Sequence, residues 1–270
     1  MRGFTLLELA VVVSILVILA GVLLPKFDLF KTKANEGVAA TSMTDVSRMI
    51  QTYFAQNGNY PDNWDSLMTA ANTGGGTATS GNLWDTADAS QDGAQLDPQT
   101  VGGPPAGATP QKLTLGTALL APEARSLARM GITTVLDVTV ASTALPNDRF
   151  TGLAGTTRLI GTGTILPTLN LTDPYAQTIV AHIYPNSTTT ATGIPNGKRL
   201  VVLGFGSHST SVGTLVQEVP FYPNTDVTKY YSRFLCVFEV DSAGAQANLM
   251  AVIGADGDLI GDEISYYYAK

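Results

Sequence analysis

Near its N-terminus the chain reads Arg2-Gly3-Phe4-Thr5-Leu6-Leu7-Glu8, followed by the run LAVVVSILVILAGVLL from Leu9 to Leu24. This run contains no charged residue, and Ser14 is its one polar side chain. A helix from Phe4 to Leu24 would be roughly 30 Å long, which is enough to cross the hydrocarbon core of a bilayer. The sequence therefore predicts an N-terminal helix that is buried in a membrane or in an equally apolar environment.

Two simple explanations of this helix fit poorly. A secretory signal peptide would end in a small-residue cleavage site, but here the run ends in Leu23-Leu24-Pro25-Lys26-Phe27. A plain membrane anchor would not carry Glu8, because an acid near the bilayer centre costs about 2.5–3.5 kcal/mol. Glu8 is therefore predicted to be a functional carboxylate with a partner.

The same residues resemble the class III signal of type IV pilins and of type II secretion pseudopilins. The resemblance is specific from Arg2 to Pro25 and weaker as far as about Leu67. It implies that residues 1–3 are a leader, which a prepilin peptidase removes between Gly3 and Phe4, and that Phe4 is then N-methylated. It also implies that Pro25 occupies a position where these families often have a helix-kinking proline. The leader of three residues is short for the family.

The resemblance further implies that Glu8 neutralises the N-terminal amine of a neighbouring subunit inside a filament. This agrees with the physical expectation for a buried charge. An isolated carboxylate in an apolar environment is costly, so a carboxylate and an ammonium that meet only between stacked subunits favour one register.

Residues 4–25 are thus predicted to be a membrane-spanning or filament-core helix, and residues 26–57 to be its amphipathic continuation. Apolar side chains recur there at steps of three and four residues, which indicates one face that packs on a core; they are Ala39, Met43, Val46, Ile50 and Tyr53. Asn57-Gly58-Asn59 is predicted to end the helix, because Gly and Asn tolerate the left-handed conformation of a C-cap.

Residues 58–270 are predicted to form a globular α+β head. Tyr60-Pro61 indicates a turn. The segment as far as Leu67 resembles the one that follows the long helix in pseudopilins, which implies a short helix that docks Trp64 and Leu67 on the long helix. Residues 71–111, rich in Gly, Pro, Ser and Thr, are predicted to be a loop-rich insertion. Another helix is predicted to open at Ala121-Pro122-Glu123. Strands are predicted at 132–140, 158–161 with 164–166, 178–184, 199–205, 234–240 and 248–253.

The predicted fold class is therefore α+β and pilin-like: a long N-terminal helix packed on an antiparallel β-sheet head with long loops. The net charge of −7 argues against a nucleic-acid surface, so no nucleic-acid partner is expected. The single cysteine, Cys236, excludes an intramolecular disulfide and is predicted to be a buried, inert thiol. Because many type IVa pilins close a C-terminal loop with a disulfide, this favours a resemblance to pseudopilins and to disulfide-free pilins.

The sequence offers little catalytic chemistry. Ser207 beside His208 does not form a nucleophile elbow, and His182 and His208 lack the carboxylate or cysteine neighbours of a zinc site. We therefore expect the protein not to be an enzyme. One acidic cluster is a candidate calcium site, since calcium takes six to eight oxygen ligands; its residues are Asp256, Asp258, Asp262 and Glu263. The resemblance to calcium-binding major pseudopilins favours this site, a solvated acidic turn is the alternative, and no other cofactor is expected.

The resemblance implies a structural subunit of a type IV pilus-like filament or of a type II secretion pseudopilus. The expected partners are copies of the chain or related pilins, a prepilin peptidase, an inner-membrane assembly platform and, before assembly, the lipid bilayer. The expected location is the bacterial inner membrane, with a single pass and the head outside the cytoplasm, and then a pilus or periplasmic pseudopilus. The alternative is a non-polymerising membrane-anchored domain that binds a ligand or catalyses a reaction.

Overall fold

The structure is a computed structural model that describes residues 6–69, 113–138, 156–187, 192–223, 233–255 and 257–269. The predicted insertion at 71–111 lies outside these ranges. The elements in chain order are α1 (Leu6–Asn57), β1 (Trp64–Thr69), β2 (Leu113–Leu115), α2 (Ala121–Arg129), β3 (Thr134–Val138), β4 (Thr156–Leu159), β5 (Pro167–Leu169), α3 (Pro174–Ile183), β6 (Lys198–Gly204), β7 (Leu235–Asp241), β8 (Asn248–Ile253) and α4 (Ile260–Ala269).

Six strands form one mixed sheet in the order β4-β3-β1-β6-β7-β8, and β2 pairs with β5 in a separate two-stranded sheet. The expectation of an antiparallel head needs one correction, because β1 and β3 run parallel. A parallel pair needs a crossover connection of a dozen or more residues, and the chain between β1 and β3 contains both β2 and α2. The other strand pairs are antiparallel, so the fold is α+β with an antiparallel-rich sheet.

Helices cover both faces of the central strands. Val201 and Leu203 of β6, with Cys236 and Phe238 of β7, point to the face where α1 and α2 pack. The alternate residues point to the opposite face and pack against α3 and the β2-β5 sheet; they are Leu200, Val202, Leu235 and Val237. This alternation follows from the two-residue period of a strand. Sheets covered on both faces have strands that read as continuous apolar runs, and β6 and β7 do so.

The second half of α1 forms part of this core. Ala39, Met43, Val46 and Ile50 are all buried, as their helical spacing predicts. The helix ends at Asn57, and Gly58 adopts a φ of 71°, which glycine reaches without the strain that a Cβ would cause. The N–H of Gly58 donates to the carbonyl oxygen of Phe54 at 2.8 Å, which completes the C-cap.

The strand predicted at 178–184 is wrong, because residues 178–183 belong to α3. The helix begins at Pro174, directly after Asp173, whose Oδ1 accepts a hydrogen bond from the N–H of Ala176 at 3.1 Å. An acceptor at the N-cap followed by Pro at the first helical position is a strong helix start. Ala176, Ile179 and Val180 then lie on one buried face at helical spacing, and this outweighs the strand preference of the β-branched residues.

The short helix predicted after Tyr60-Pro61 is also wrong, because Trp64–Thr69 is strand β1. Trp64 still packs on the α1 side of the sheet, where its Nε1–H donates to the carbonyl oxygen of Pro61 at 2.6 Å. Leu67 packs on the opposite face with α3. The two side chains therefore do not dock together on the long helix.

The other predictions in the head agree with the structure to within a few residues. Four predicted strands correspond to β3, β6, β7 and β8, and the predicted pair at 158–161 and 164–166 is displaced to β4 and β5. Helix α2 begins at Ala121 as predicted, with the carboxylate of Glu123 accepting from the N–H of Leu120 at 2.8 Å. Strands β7 and β8 pair across the connection at 242–247.

Candidate assembly surface

The first half of α1 carries an unbroken apolar surface that the rest of the described chain does not cover. Every large apolar side chain from Leu6 to Leu19 is between 50% and 86% exposed. A folded protein that stays monomeric rarely exposes a contiguous apolar patch of this kind, and larger patches mark sites of contact with proteins or membranes. This part of the helix is therefore a surface that requires a partner.

Glu8 lies in the first turn of α1, and its side chain is exposed. A carboxylate in this position is favourable to the helix, because the free N–H groups of the first turn give the N-terminus a partial positive charge. Glu8 is the one charged residue between Leu6 and Gly21, so it lies on the apolar surface itself. Gly3 and Phe4, the predicted cleavage site, lie outside the described residues.

Helix α1 continues through Pro25 without a break. Proline inside a helix removes one i→i−4 hydrogen bond, which is why this position was predicted to kink the helix. The kink and the role of Pro25 stay predictions.

Within the residues whose placement the structure describes, no helix combines the length and the apolarity that crossing a membrane requires.

The C-terminal helix α4 packs along the second half of α1. Between the two helices lies an open groove of about 500 Å³. Its lining on α1 consists of Gly37, Ala40, Thr41 and Thr44 together with the charged side chains of Asp45 and Arg48. Ile264 and Tyr268 of α4 form its wall and are 44% and 78% exposed.

The acidic cluster lies in the tight connection between β8 and α4. Ile253 and Leu259 form an antiparallel bridge across it, and Gly257 adopts a φ of 85° at its tip. Asp258 is buried and Asp262 is partly buried in the first turn of α4, whereas Asp256 and the side chain of Glu263 lie outside the described residues. Among the described residues, no group of three or more His, Cys, Asp or Glu side chains could hold a metal ion. The calcium site stays a prediction.

The two histidines lie apart from each other, and Lys198, whose pKa is shifted, has a structural role. His182 is exposed on α3, and His208 is exposed after β6 with its Nδ1 3.4 Å from Ser207 Oγ. At the far end of β6, Lys198 Nζ lies 2.7 Å from Asp241 Oδ2 and 3.0 Å from Glu239 Oε1. The hydrogen bond to Asp241 is the main reason that the pKa of Lys198 is raised. This network joins β6 to β7 by charge-assisted hydrogen bonds.

The sequence analysis missed helix α4, although its signal is present. Ile260, Ile264 and Tyr268 are spaced four residues apart, which is the period of one helix face. Leu259, directly before this helix, forms the antiparallel bridge to Ile253. Helix α4 begins one residue later. Because the sequence analysis did not predict α4, it could not predict the groove between α1 and α4.

The known proteins with significant similarity to the chain are type IV pilins. The type IV wide pilus major component PilA4 of Thermus thermophilus is 34% identical over 68 residues, which cover 25% of this chain and 52% of the relative. The type IV major pilin protein PilA of Myxococcus xanthus is 34% identical over 61 residues, which cover 23% of this chain and 28% of the relative. The chain thus spans about half the length of one relative and under a third of the other.

These relatives confirm the resemblance to type IV pilins that the N-terminal residues predict. Both are major pilins of a type IV pilus, and neither is a secretion pseudopilin. No family model matches the chain. No solved structure matches it significantly. The preference for pseudopilins, which rested on the single cysteine and on the Tyr60-Pro61 segment, stays a prediction.

Proposed function

We propose that this chain is a structural subunit of a type IV pilus-like filament. The observation that carries the proposal is the apolar surface of α1 from Leu6 to Leu19, whose large side chains are at least half exposed. Association buries such side chains, and each contributes about 1.5–3 kcal/mol when it is fully removed from water. The similarity to two major pilins supports a structural rather than an enzymatic role.

In this proposal the helix passes through two environments. Before assembly the run Leu9–Leu24 lies in the inner membrane of a bacterium, with the head outside the cytoplasm. A prepilin peptidase removes residues 1–3, Phe4 is N-methylated, and an assembly platform adds the subunit to the filament. The first half of α1 then packs against the same segment of neighbouring copies, and the heads face outward. The exposed apolar half and the separately packed head support this division of the chain.

Glu8 provides the experiment that tests the proposal. We expect Glu8→Ala to leave the head folded and the protein inserted but to prevent or strongly reduce filament growth, because the carboxylate would no longer neutralise the Phe4 amine of a neighbour. Filaments are counted by electron microscopy, and Phe4 methylation is followed by mass spectrometry of the N-terminus. A matched control is Glu218→Ala, which removes an exposed acid from the head.

The outcomes separate the two function classes. Loss of filaments in Glu8→Ala with normal filaments in Glu218→Ala supports the pairing. Normal filaments in both variants contradict the pairing. An unprocessed Met1 terminus in the membrane, without filaments, contradicts the filament proposal and supports the non-polymerising alternative.

Calcium binding has a separate test. We expect calcium to raise the melting temperature of the head if the acidic connection between β8 and α4 binds it, because a ligand that binds only the folded state stabilises that state. The measurement compares melting curves with excess calcium and with a chelator, in the wild type and in Asp258→Asn. Identical curves for the wild type under both conditions contradict the site.

A further inference from the structure

We infer that residues 26–33, the part of α1 just beyond the apolar run, form a binding surface for anionic lipid head groups. The inference rests on the membrane-held stage of the proposed function, and it adds the class of lipid that the chain selects there. The segment reads KFDLFKTK, with three lysines against one aspartate, in a chain whose net charge is −7. Its charge is therefore opposite to that of the chain as a whole.

The side chains that the structure describes in this segment are open to a partner. Lys31 is exposed, Lys33 is partly exposed, and Phe30 is 70% exposed. Within the described part of the chain, neither lysine takes part in an ion pair. Ala39 is the first described side chain of α1 that is buried, so the described head does not cover this segment.

The position of the two lysines matches the head-group layer of a bilayer. The apolar run ends at Leu24, so Lys31 lies about 10 Å and Lys33 about 14 Å farther along the helix. Head groups occupy roughly the first 5–8 Å outside the hydrocarbon core. Because the Cα–Cβ bonds of a helix tilt toward its N-terminus, both lysines extend back toward the membrane, and their long stems let the amines reach the interface.

The arrangement of the charges favours a lipid surface over a protein partner. Lys31 and Lys33 are two residues apart, so they project from nearly opposite sides of the helix. One docked protein helix covers one of these sides, whereas a bilayer surrounds α1 and contacts both. Attraction to an anionic surface raises affinity by about fivefold for each lysine within reach.

The orientation of the chain also calls for such a partner. Lysine and arginine beside a membrane-spanning helix are usually in excess on the cytoplasmic side. With the head outside the cytoplasm, Arg2 lies on the cytoplasmic side, whereas Lys26, Lys31 and Lys33 lie on the other. The lysines thus oppose the usual distribution, and contact with anionic lipids of the outer leaflet gives them a role that topology does not.

Spin-label spectroscopy of the full chain in lipid vesicles tests the inference. The vesicles contain phosphatidylcholine and phosphatidylglycerol in equal amounts, with a trace of one of the two lipids spin-labelled on its acyl chain. The spectra separate lipid in contact with the protein from free lipid, and so give the preference for phosphatidylglycerol. For the wild type we expect a preference of about twofold or more at low salt, which falls toward one in about 1 M salt because the charges are then screened.

Three double variants locate the source of the preference. Lys31→Gln with Lys33→Gln should lose most of it. Lys31→Arg with Lys33→Arg keeps both charges and should keep it. The matched control is Arg48→Gln with Arg125→Gln, which removes two exposed cations from the head and should leave the preference unchanged.

The possible outcomes decide between the partners. A wild type without a preference overturns the inference, and so does an unchanged preference after Lys31→Gln with Lys33→Gln. An equal loss in the arginine control assigns the preference to net charge, which also overturns the inference.

Counting filaments of the same variants separates the inference from the proposed function. Filaments lost with the glutamine pair, without any lipid preference in the wild type, mean that the lysines meet acids of another copy; the lipid partner is then wrong and the proposed function stands. A lipid preference in a chain that never forms filaments supports the lipid surface and contradicts the proposed function.

Discussion

Asp62 is the residue that fixes the turn after α1 to the sheet. Its carboxylate accepts hydrogen bonds from the N–H groups of Thr133 at 2.9 Å and Thr134 at 2.8 Å, and from the hydroxyl of Thr133. Burial alone would raise the pKa of Asp62, but these hydrogen bonds outweigh burial and hold it below its ordinary value of 3.8. The charged form therefore stabilises the entry to β3.

We predict that Asp62→Asn lowers the free energy of unfolding by about 1 kcal/mol at neutral pH, because an amide accepts these hydrogen bonds less strongly. Since the folded pKa lies below the unfolded one, the stabilisation is present above about pH 4 and is lost as the pH falls through the folded pKa. The difference between wild type and variant should therefore shrink below pH 4. Urea unfolding at several pH values measures it.

The control is Asp45→Asn, which changes an acid on the exposed face of α1 and should alter stability by less than about 0.5 kcal/mol. A pH-independent difference for Asp62→Asn would show that the carboxylate charge has no part in the stabilisation.

Local backbone geometry explains one failure of sequence reasoning at this scale. Asn63 and Leu67 both adopt a φ of 59°, a region that a residue such as Leu rarely enters. Between Asp65 and Thr69 the register of β1 with β3 shifts. Because this irregular strand is held by its neighbours in the sheet and not by its own pattern, the sequence of Trp64–Thr69 alone did not indicate it.

At the scale of elements, α3 shows how tertiary context overrides local preference. The segment that contains Thr178, Ile179, Val180 and Ile183 has the β-branched composition of a strand, yet it is helical. Its first turn is stabilised by Asp173, and its buried face fits the side of the sheet that α1 does not cover. The sequence analysis predicted only one helical layer against the sheet, and α3 belongs to a second layer on the other face.

We predict that Asp173→Ala lowers the free energy of unfolding by about 1 kcal/mol, the usual loss for an N-cap acceptor. Asp173→Asn keeps an oxygen in the capping position and should retain most of the stability. Thermal unfolding of both variants measures the effect. Equal loss in the two variants would mean that the cap does not account for the role of Asp173.

For the strands and for α1 the sequence was more informative. The buried positions of α1 from Ala39 to Ile50 follow from their helical spacing, and the apolar runs of β6 and β7 indicate strands directly. Those continuous runs also contain a signal that the sequence analysis did not use. A strand that is apolar at every position needs cover on both faces.

The whole molecule divides into a packed head and an exposed helical extension. Among the α1 side chains that the structure describes, none before Met43 belongs to the two core clusters, and Ala39 is the first that is buried. The apolar surface from Leu6 to Leu19 therefore lies outside the described core of the head. The proposed processing site at Gly3 and Phe4 and the proposed assembly residue Glu8 rest on the sequence, whereas the groove depends on α4 and required the structure.

We predict that removal of residues 1–28 leaves a folded, monomeric head in detergent-free buffer. The reason is that the deleted part includes the exposed apolar segment and none of the core residues that the structure describes. Circular dichroism tests the fold, and size-exclusion chromatography with light scattering tests the mass. The full-length chain is the comparison and should associate or require detergent. A truncated head that unfolds or still oligomerises would contradict this division.

The single thiol, which lies in the core beneath the sheet, also has a practical consequence. Cys236 is buried in β7, and burial raises its pKa, so it stays protonated and shielded from oxidants. The fold therefore depends neither on an oxidising compartment nor on a disulfide-forming enzyme. The same native head should form in a reducing cytoplasm and outside the cell, and the presence of reductant should leave its stability unchanged.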